Sequence, residues 1–509
     1  MKVELMSSSI RSFVIGLFFV YVHWLMLVLG FAEDRRNILF IIVDDLRPAL
    51  GCYGDSIAKT PNIDRLAMGG RLFDGAYCMQ AVCGPSRTAM LTGRLPDNTR
   101  VWHNRNRFRD SDSGLVTLPQ HLKEHGYHTV SLGKVFSGDQ EELDPISWTE
   151  PEILKQRGWK NAVESKQADG KGFAWESADV ADDVYPDGKL AGLAIEKLNA
   201  LGVSDKPFML AVGFFKPHLP FNAPKKYWDL IDLNMLRDTE NQHMSLVIDA
   251  PEEAYHTHRE LGGYRGIPRD EKIDGPMATT LRHGYYACVA YVDAQIGRLL
   301  DALDANGLSK STMVVLCGDH GFALGEQKRW CKGTNFECDT RVPLIIRMPG
   351  LAQAGVKSTA LVELVDLYPT IVQWVGGDQP ANLDGQSLMP ILLDPSADGR
   401  DAVLSQFARP FKPNEPKVMG YSLRTASHRY TRWIDWTDRA VVAEEFYEYP
   451  GSDEVRRRDA TWFARMNLEH RNLVYDEDQH ERVQHLRKRL DQMLEVRVRR
   501  GNSTIGEDR

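Results

Sequence analysis

The chain has 509 residues, of which 43% are hydrophobic and 26% charged, a composition typical of a globular protein. Its net charge of −8 argues against a nucleic-acid-binding protein, which needs a basic face, but allows an anionic substrate in a locally basic pocket. A chain of this length predicts one large α/β domain together with a smaller one rather than a single small core.

The N-terminus contains a long apolar run. Lys2 and Arg11 precede it, the run itself carries no charged residue, and the small residues Gly30 and Ala32 have the spacing of a signal-peptidase site. This pattern predicts a signal peptide over residues 1–32, and because the run is long enough to span a bilayer, an uncleaved anchor is the alternative. Either way, we expect an exported protein in the periplasm, the medium or a lysosome-like compartment, with membrane contact only if the segment is retained.

Two apolar runs end in side chains that can bind metals. NILFIIVDD places Asp44 and Asp45 after a predicted buried strand, and TMVVLCGDHG places Asp319 and His320 after another. Helical patterns between them predict a mainly parallel sheet with helices on both faces and a site at the carboxyl ends of its strands. A single aspartate pair of this kind often only closes a turn, whereas several converging carboxylates suit Ca²⁺ or Mg²⁺.

The stretch AVCGPSRTAMLTGR, residues 81–94, combines a turn with a cysteine and an arginine. Gly-Pro predicts the turn, and Ser86 is the expected cap of an apolar helix. Neither feature explains Cys83 or Arg87. The chain has seven cysteines without metal-finger spacing, too few for a disulfide scaffold, and their odd number leaves one thiol to explain. Cys83 is the candidate.

The loop VWHNRNRFRD, residues 101–110, is basic and aromatic. Arg105, Arg107 and Arg109 suit carboxylate or sulfate groups, and Trp102 suits the face of a sugar ring. The alternative is a solvated basic loop, because arginine is usually found on protein surfaces.

Three cationic residues lie near predicted strand ends. They are Lys134 in SLGKVF, His218 in KPHLPF and Lys332 in KRWCKGTNFE. An isolated lysine is usually a solvated surface charge. Set among glycine, proline and aromatic residues beside strand ends, these three favour a clamp for an anion next to a divalent cation.

The sequence pattern changes from about residue 396. YSLRTASHRYTRWIDW, residues 421–436, alternates as hairpin strands do, and a charged helix is predicted over 478–497. We therefore expect a catalytic domain over 33–395 and a smaller α+β subdomain over 396–509.

The motifs resemble those of the type I sulfatases, which depend on formylglycine. Residues 83–87, CGPSR, match the family's Cys-x-Pro-Ser-Arg signature, and LTGR follows it; NILFIIVDDLRP, GKVF, KPHLPF and GDHGFALGE are similar to family blocks in the same order. The similarity is strongest over residues 34–395. Within the family, the motifs most resemble those of the branch that contains iduronate-2-sulfatase and its bacterial relatives. It implies an alkaline-phosphatase-like fold, with a large sheet flanked by helices and a smaller C-terminal subdomain.

The resemblance also implies roles for the residues above. Cys83 is expected to be converted by a formylglycine-generating enzyme into formylglycine, whose hydrate attacks sulfur and then releases sulfate, with Arg87 holding it in place. The expected ligands of one Ca²⁺ are an oxygen of residue 83 and the side chains of Asp44, Asp45, Asp319 and His320. The residues expected to bind sulfate oxygens are Lys134, His218 and Lys332. Either of the last two is a candidate to protonate the leaving sugar oxygen.

One position departs from the family pattern. In chains of the iduronate-2-sulfatase branch a histidine that assists formylglycine regeneration follows GKVF, whereas here Ser137 follows it. Serine forms hydrogen bonds but is a poor base near neutral pH. The sequence leaves open whether another group, such as a histidine from a loop, takes the proton or whether sulfate release is slow.

The predicted function is the hydrolysis of sulfate esters on a carbohydrate, such as a sulfated uronic acid or a related polysaccharide. Two alternatives remain. One is a phosphodiesterase or phosphonate monoester hydrolase of the same superfamily. The other is a catalytically impaired carbohydrate-binding homologue, an interpretation that only Ser137 favours.

Overall fold

A computed structural model describes residues 36–137, 144–150, 171–237, 246–256, 260–268, 273–413, 415–449 and 469–498. The predicted signal peptide or anchor over residues 1–32 lies outside these ranges. No helix within them combines the length and apolar character needed to cross a bilayer. The seven cysteines all fall within the described ranges and form no disulfide.

The described strands, in chain order, are β1 (Asn37–Val43), β2 (Arg71–Tyr77), β3 (His128–Gly133), β4 (Lys171–Phe173), β5 (Trp175–Ala178), β6 (Phe208–Phe214), β7 (Phe221–Pro224), β8 (Tyr264–Arg265), β9 (Thr312–Gly318), β10 (Ala323–Leu324), β11 (Trp330–Cys331), β12 (Arg341–Arg347), β13 (Lys357–Glu363), β14 (Ala402–Arg409), β15 (Val418–Thr425), β16 (His428–Asp435) and β17 (Val441–Glu448).

The described α-helices are α1 (Pro61–Met68), α2 (Cys83–Thr92), α3 (Pro96–Thr99), α4 (Phe108–Ser111), α5 (Leu118–Glu124), α6 (Pro186–Gly202), α7 (Lys225–Trp228), α8 (Leu233–Arg237), α9 (Gly275–Ala305), α10 (Glu337–Thr340), α11 (Leu367–Val375), α12 (Met389–Leu393) and α13 (His480–Arg497). Short 3-10 helices occupy Gly51–Tyr53, Pro145–Ser147, Asp182–Val184, Glu252–Ala254, Leu261–Gly263, Leu308–Lys310, Glu326–Lys328, Leu364–Asp366 and Glu477–Gln479.

A seven-stranded sheet lies at the centre of the larger domain, in the order β13-β2-β12-β9-β1-β6-β3. Parallel pairs join β1 to β6 and β9, β3 to β6, and β13 to β2. Among the described strands of this sheet, only β12 runs antiparallel to its neighbours. The predicted mainly parallel sheet is therefore confirmed, and the reversal of β12 was not predicted.

Helices cover both faces of the sheet, which explains why β1 is apolar along its whole length. Leu39, Ile41 and Val43 belong to one core cluster, which includes residues of α1, α6 and α9. The alternate residues of β1 belong to a second cluster, with residues of α2, α5 and α11. Because successive strand residues point to opposite faces, a strand covered on both sides shows no polar alternation.

Helix α9 is longer than its sequence pattern indicates. Helical spacing predicts a helix over residues 292–307, whereas the observed helix extends from Gly275 to Ala305. Its first half contains the sequence LRHGYYACVAYV, most of which is buried. A helix that is buried around most of its circumference loses the amphipathic period by which helices are recognised.

The C-terminal part folds on a sheet of its own. Strands β14 to β17 form an antiparallel meander in sequence order, and the predicted hairpin over residues 421–436 corresponds to β15 and β16. Helix α13 packs on this sheet through Val483, Leu486 and Leu490, which share a core cluster with Tyr430 and Phe446. The predicted helix over 478–497 is thus observed over 480–497.

Gly213 in β6 is required by a close approach of two backbones. A Cβ atom at this position would collide with the carbonyl group of Lys134, whose amide donates a 2.8 Å hydrogen bond to the Gly213 carbonyl. We expect Gly213→Ala to lower the free energy of unfolding by about 1–3 kcal/mol, because backbone atoms cannot rotate away as a side chain can. Chemical denaturation followed by circular dichroism measures the change.

Gly192 provides the matched control. It lies within α6, and a Cβ atom there would meet no atom within 4 Å. Gly192→Ala should therefore raise the free energy of unfolding by about 0.5–1 kcal/mol, because alanine favours the helix. Equal effects of the two substitutions would contradict the close-approach argument.

Candidate active site

The predicted site residues converge at the carboxyl edge of the central sheet. Strand β1 leads into Asp44 and Asp45, the neighbouring strand β9 leads into Asp319 and His320, and Lys134 follows β3. The four residues after β1 and β9 are completely buried. Parallel strands that lie side by side end at the same edge, and this common direction brings these distant residues together.

Cys83 is the first residue of α2 and points into this group. Its Sγ lies 3.3 Å from Asp44 Oδ1, 3.2 Å from His320 Nε2 and 3.3 Å from Lys134 Nζ. The residue is 2% exposed. Burial, reinforced by the Asp44 carboxylate, raises the pKa of the Cys83 thiol well above its ordinary value.

Ser86 does not cap the helix, contrary to the prediction. Helix α2 begins three residues earlier, at Cys83, with Val82 extended before it. The Ser86 hydroxyl instead donates a hydrogen bond to the backbone carbonyl of Asp319. The first turn of α2 is therefore attached to the loop that follows β9.

Arg87 connects three segments of the site. Its Nε donates to Asp319 Oδ2 at 2.8 Å, one terminal nitrogen donates to Asp44 Oδ1 at 3.2 Å, and the other donates to the carbonyl of Lys134. The side chain is fully buried. Arg87 thus fixes the ends of β1, β3 and β9 relative to the helix that carries Cys83.

Asp44 lies between two cations. Lys134 Nζ is 2.6 Å from its Oδ2, and Arg87 contacts its Oδ1. Burial favours the neutral acid, but Lys134, His218 and Arg87 together hold the pKa of Asp44 well below its ordinary value. Asp44 is therefore ionised.

Asp45 faces a second group of charges. Lys332 Nζ lies 2.9 Å from both of its carboxylate oxygens and 3.0 Å from Glu260 Oε2. His218 Nε2 lies 2.9 Å from Glu260 Oε1 and 3.8 Å from Asp45 Oδ2. Glu260 was missed in the sequence because it stands in a polar stretch without a motif or a regular period.

The donor atoms form two overlapping sets, in each of which all ligand atoms lie within 4.8 Å of one another. One set is Asp44, Asp45, Cys83 and His218; the other is Asp44, Cys83, Asp319 and His320. Burial and the neighbouring Asp44 raise the pKa of Asp45 to about 7, although Lys332 lies beside it. Three buried carboxylates that converge beside a histidine nitrogen fit a hard divalent cation such as Ca²⁺.

The basic loop over residues 101–110 divides into two parts. Arg105 and Arg107 are exposed, and the loop is held over the first turn of α2 by a 2.8 Å hydrogen bond from the Gly84 amide to Asn104 Oδ1. Arg109 instead contacts both carboxylate oxygens of Asp144, at 2.9 and 3.0 Å. Arg109 is therefore held by an ion pair within the protein, whereas Arg105 and Arg107 are exposed at the surface.

Trp102, the residue predicted to face a sugar ring, is held by contacts within the protein. The residue is 5% exposed, its Nε1 donates to Asp97 Oδ1 at 2.8 Å, and its ring packs edge-on against Trp436 with centroids 5.3 Å apart. These contacts fix the ring against the C-terminal subdomain, and the sugar-binding role of Trp102 stays a prediction.

The two histidines that shortly precede Ser137 in the sequence, His125 and His128, both contact other groups. His128 Nε2 lies 2.7 Å from Glu150 Oε1, and His125 Nδ1 lies 2.7 Å from the carbonyl of His121. Within the described part of the chain, Ser137 forms no hydrogen bond to Cys83, whose side-chain partners are Asp44, Lys134 and His320.

Comparison with known proteins agrees with this arrangement. A family model described as Sulfatase matches residues 36–377, and one described as N-sulphoglucosamine sulphohydrolase, C-terminal, matches residues 325–444. The chain is 36% identical over 488 residues to iduronate 2-sulfatase of Mus musculus and 35% identical over 486 residues to that of Homo sapiens. Each alignment covers 81% of this chain and 87% of the relative.

The fold is also similar to that of a phosphonate monoester hydrolase from Silicibacter pomeroyi. The TM-score is 0.70 at 21% identity, with 91% of this chain and 96% of the other covered. At this identity the likeness concerns the fold alone. The large mixed sheet flanked by helices, with its smaller C-terminal part, confirms the expected alkaline-phosphatase-like fold class.

The carboxylate cluster predicts that Ca²⁺ stabilises the protein. At a free concentration a hundredfold above its Kd, Ca²⁺ should add about 2.7 kcal/mol to the free energy of unfolding, and excess chelator should remove this increment. Asp319→Asn should abolish most of it, because one of the three carboxylates becomes neutral. Chemical denaturation with and without Ca²⁺ measures the increment separately from any loss caused by leaving Arg87 without its partner.

The matched control is Asp301→Asn, which removes an exposed carboxylate paired with Arg65 on the surface. This variant should keep the full Ca²⁺ increment. An increment that survives in Asp319→Asn would show that Ca²⁺ binds elsewhere.

Proposed function

Because the chain belongs to the sulfatase family and is a sulfuric ester hydrolase, we propose that it acts on sulfate esters of a carbohydrate. The observation that carries the proposal is the buried group of carboxylates and cations around Cys83. A substrate that contains a sulfated uronic acid, within a polysaccharide or at its end, is supported by the two iduronate 2-sulfatases among the relatives. It is also supported by the exposed Arg105 and Arg107, because a guanidinium group pairs well with a carboxylate.

Cys83 is proposed as the precursor of formylglycine, made by a formylglycine-generating enzyme. The modified residue supplies a hydroxyl nucleophile and a second hydroxyl that permits release of sulfate. The contacts of the Cys83 side chain support this role, since Asp44, Lys134 and His320 surround the position that the modified group would occupy. Arg87 keeps these partners in place through its bonds to the strand ends.

One Ca²⁺ is proposed to be held by Asp44, Asp45, Asp319, His320 and an oxygen of residue 83. When bound, the ion supplies a Lewis acid that makes a hydroxyl group more acidic and neutralises a sulfate oxygen. The protein contributes the rigid frame, in which the Asp45 and His320 amides both donate 3.0 Å hydrogen bonds to Asp319 Oδ1.

The sulfate oxygens are proposed to bind Lys134, His218 and Lys332. Of the two candidates for the acid that protonates the leaving oxygen, we assign His218. Burial disfavours a charged Lys332, but Asp45 and Glu260 raise its pKa well above the ordinary value, so it retains its proton. Burial and Lys332 lower the pKa of His218. The negative charge of a bound sulfate group raises this pKa again, so His218 can carry a proton with the substrate bound and then give it up.

The domain division is also part of the proposal, with a catalytic domain over residues 33–395 and a C-terminal subdomain over 396–509. The separate sheet that begins with β14 at Ala402 supports this boundary. We propose export to a periplasmic, secreted or lysosome-like compartment, on the strength of the apolar run within residues 1–32.

The first experiment is peptide mass spectrometry across Cys83, on protein from a host that modifies sulfatases, together with activity assays. We expect an aldehyde in place of the thiol and hydrolysis of aryl sulfates and sulfated uronates. Cys83→Ala should reduce this activity by a factor on the order of 10³ or more, because the nucleophile is lost. Faster hydrolysis of an aryl phosphate diester or phosphonate monoester than of the aryl sulfate would favour the alternative hydrolase class. Aldehyde without any turnover would favour the impaired, carbohydrate-binding homologue.

Ser137 generates a further prediction about the rate of release. Serine is a poor base, so we expect Ser137→His to raise kcat by about tenfold, at the low end of what a positioned base contributes. Rapid-mixing kinetics should show an initial burst of the desulfated alcohol in the natural enzyme, because sulfate release is the slow step. The burst should be smaller in Ser137→His. Ser137→Ala is the control and should leave kcat nearly unchanged. If Ser137→His leaves both kcat and the burst unchanged, another group already performs this step.

A further inference from the structure

Glu260 places a carboxylate between two of the groups proposed to bind sulfate. Its Oε1 lies 2.9 Å from His218 Nε2, and its Oε2 lies 3.0 Å from Lys332 Nζ. The side chain is 27% exposed, whereas the side chains of His218 and Lys332 are 10% and 7% exposed. Glu260 therefore covers the two cationic groups on the side of the site that is open to solvent.

The carboxylate offers the same contacts as a bound sulfate group would. Both anions present pairs of oxygens at a spacing that can accept hydrogen bonds from two neighbouring donors. Burial favours a neutral Glu260, but Lys332 and His218 hold its pKa well below the ordinary value, so the side chain carries its charge. In the free enzyme an internal anion already occupies the acceptor position on both donors.

We propose that Glu260 is an internal counter-ion of the sulfate subsite, which the sulfate group of the substrate displaces on binding. The proposal rests on the proposed function, from which the roles of His218 and Lys332 are taken. Glu260 is thereby a residue that sets affinity for sulfate, both as part of the substrate and as the released product.

The two donors are held by other contacts, so they remain in place when Glu260 moves away. Lys332 Nζ also donates hydrogen bonds to both carboxylate oxygens of Asp45, each at 2.9 Å. His218 Nδ1 lies 2.7 Å from the carbonyl of Leu219 and Nε2 faces Glu260, so the protonated imidazole donates from both nitrogens and the Leu219 contact fixes the ring from its other side. Displacement of Glu260 therefore exposes a preformed pair of donors, and its return competes with the sulfate that hydrolysis leaves behind.

The test compares the Ca²⁺-loaded natural enzyme with Glu260→Gln, which keeps the shape of the side chain and removes its charge. Isothermal titration calorimetry with inorganic sulfate measures binding directly. We expect about tenfold tighter sulfate binding by Glu260→Gln, because a like charge no longer opposes the anion. The KM for a sulfate ester should fall in the same direction, with a lower Ki for sulfate as a competitive inhibitor.

Two further variants make the result specific. Glu260→Asp keeps the charge and should bind sulfate much more weakly than Glu260→Gln. Glu252→Gln neutralises an exposed carboxylate eight positions earlier in the chain and should leave sulfate affinity within about twofold of the natural enzyme, since surface charges are screened by salt. Circular dichroism and the Ca²⁺ stability increment establish that each variant is folded.

Several outcomes would overturn the proposal. Equal or weaker binding of sulfate by folded Glu260→Gln would show that Glu260 is a fixed support of His218 and Lys332 rather than a competitor. Absence of sulfate binding by both proteins would show that this position is not an anion subsite. A different measurement tests the proposed function: it fails if the natural enzyme does not hydrolyse sulfate esters. The role of Glu260 is then still decided by which protein, the natural enzyme or Glu260→Gln, binds inorganic sulfate more tightly.

Discussion

Three carboxylates buried at one edge of a sheet are the constraint on which this site depends. Asp44, Asp45 and Asp319 are completely excluded from solvent, and a buried charge is destabilising unless it is paired. Arg87, which lies in α2, forms ion pairs with two of them, Asp44 and Asp319. The same helix begins with Cys83, so the pairing that makes the acidic cluster tolerable also determines where the thiol lies.

The remaining charges form two groups on either side of Cys83. Lys134 contacts Asp44 on one side, and Lys332 contacts Asp45 on the other, where His218 and Glu260 complete the group. On the first side, cations compensate the acidic groups well enough to keep the pKa of Asp44 low. On the second side Glu260 adds a negative charge, and the pKa of Asp45 rises to about 7 with burial as the chief cause. Asp45 thus shares Lys332 with a second carboxylate, whereas Asp44 has both Lys134 and Arg87 beside it.

Features that depend on residues close together in the sequence could be predicted from the sequence alone. A continuous apolar run followed by aspartates predicts a covered strand and its functional end, and β1 with Asp44 and Asp45 has that form. Features set by tertiary packing were not predicted. The packing of Trp102 against Trp436, more than 300 positions later in the chain, has no signal in the sequence around either residue. Glu260 has no local pattern, because its importance comes only from His218 and Lys332, which reach it from other segments.

The C-terminal subdomain forms hydrogen bonds with loops of the larger domain that lie outside the central sheet. Arg409 of β14 donates a 3.1 Å hydrogen bond to the carbonyl of Gly333, which directly follows Lys332. Tyr421 of β15 donates to Asp97, the same carboxylate that accepts from the indole of Trp102 at the start of the basic loop. Strand ends thus position the carboxylates, whereas contacts with this second sheet position the residue after Lys332 and the start of the basic loop. The subdomain also packs against Ala89 in the helix that begins with Cys83, so the two parts of the chain build the site together.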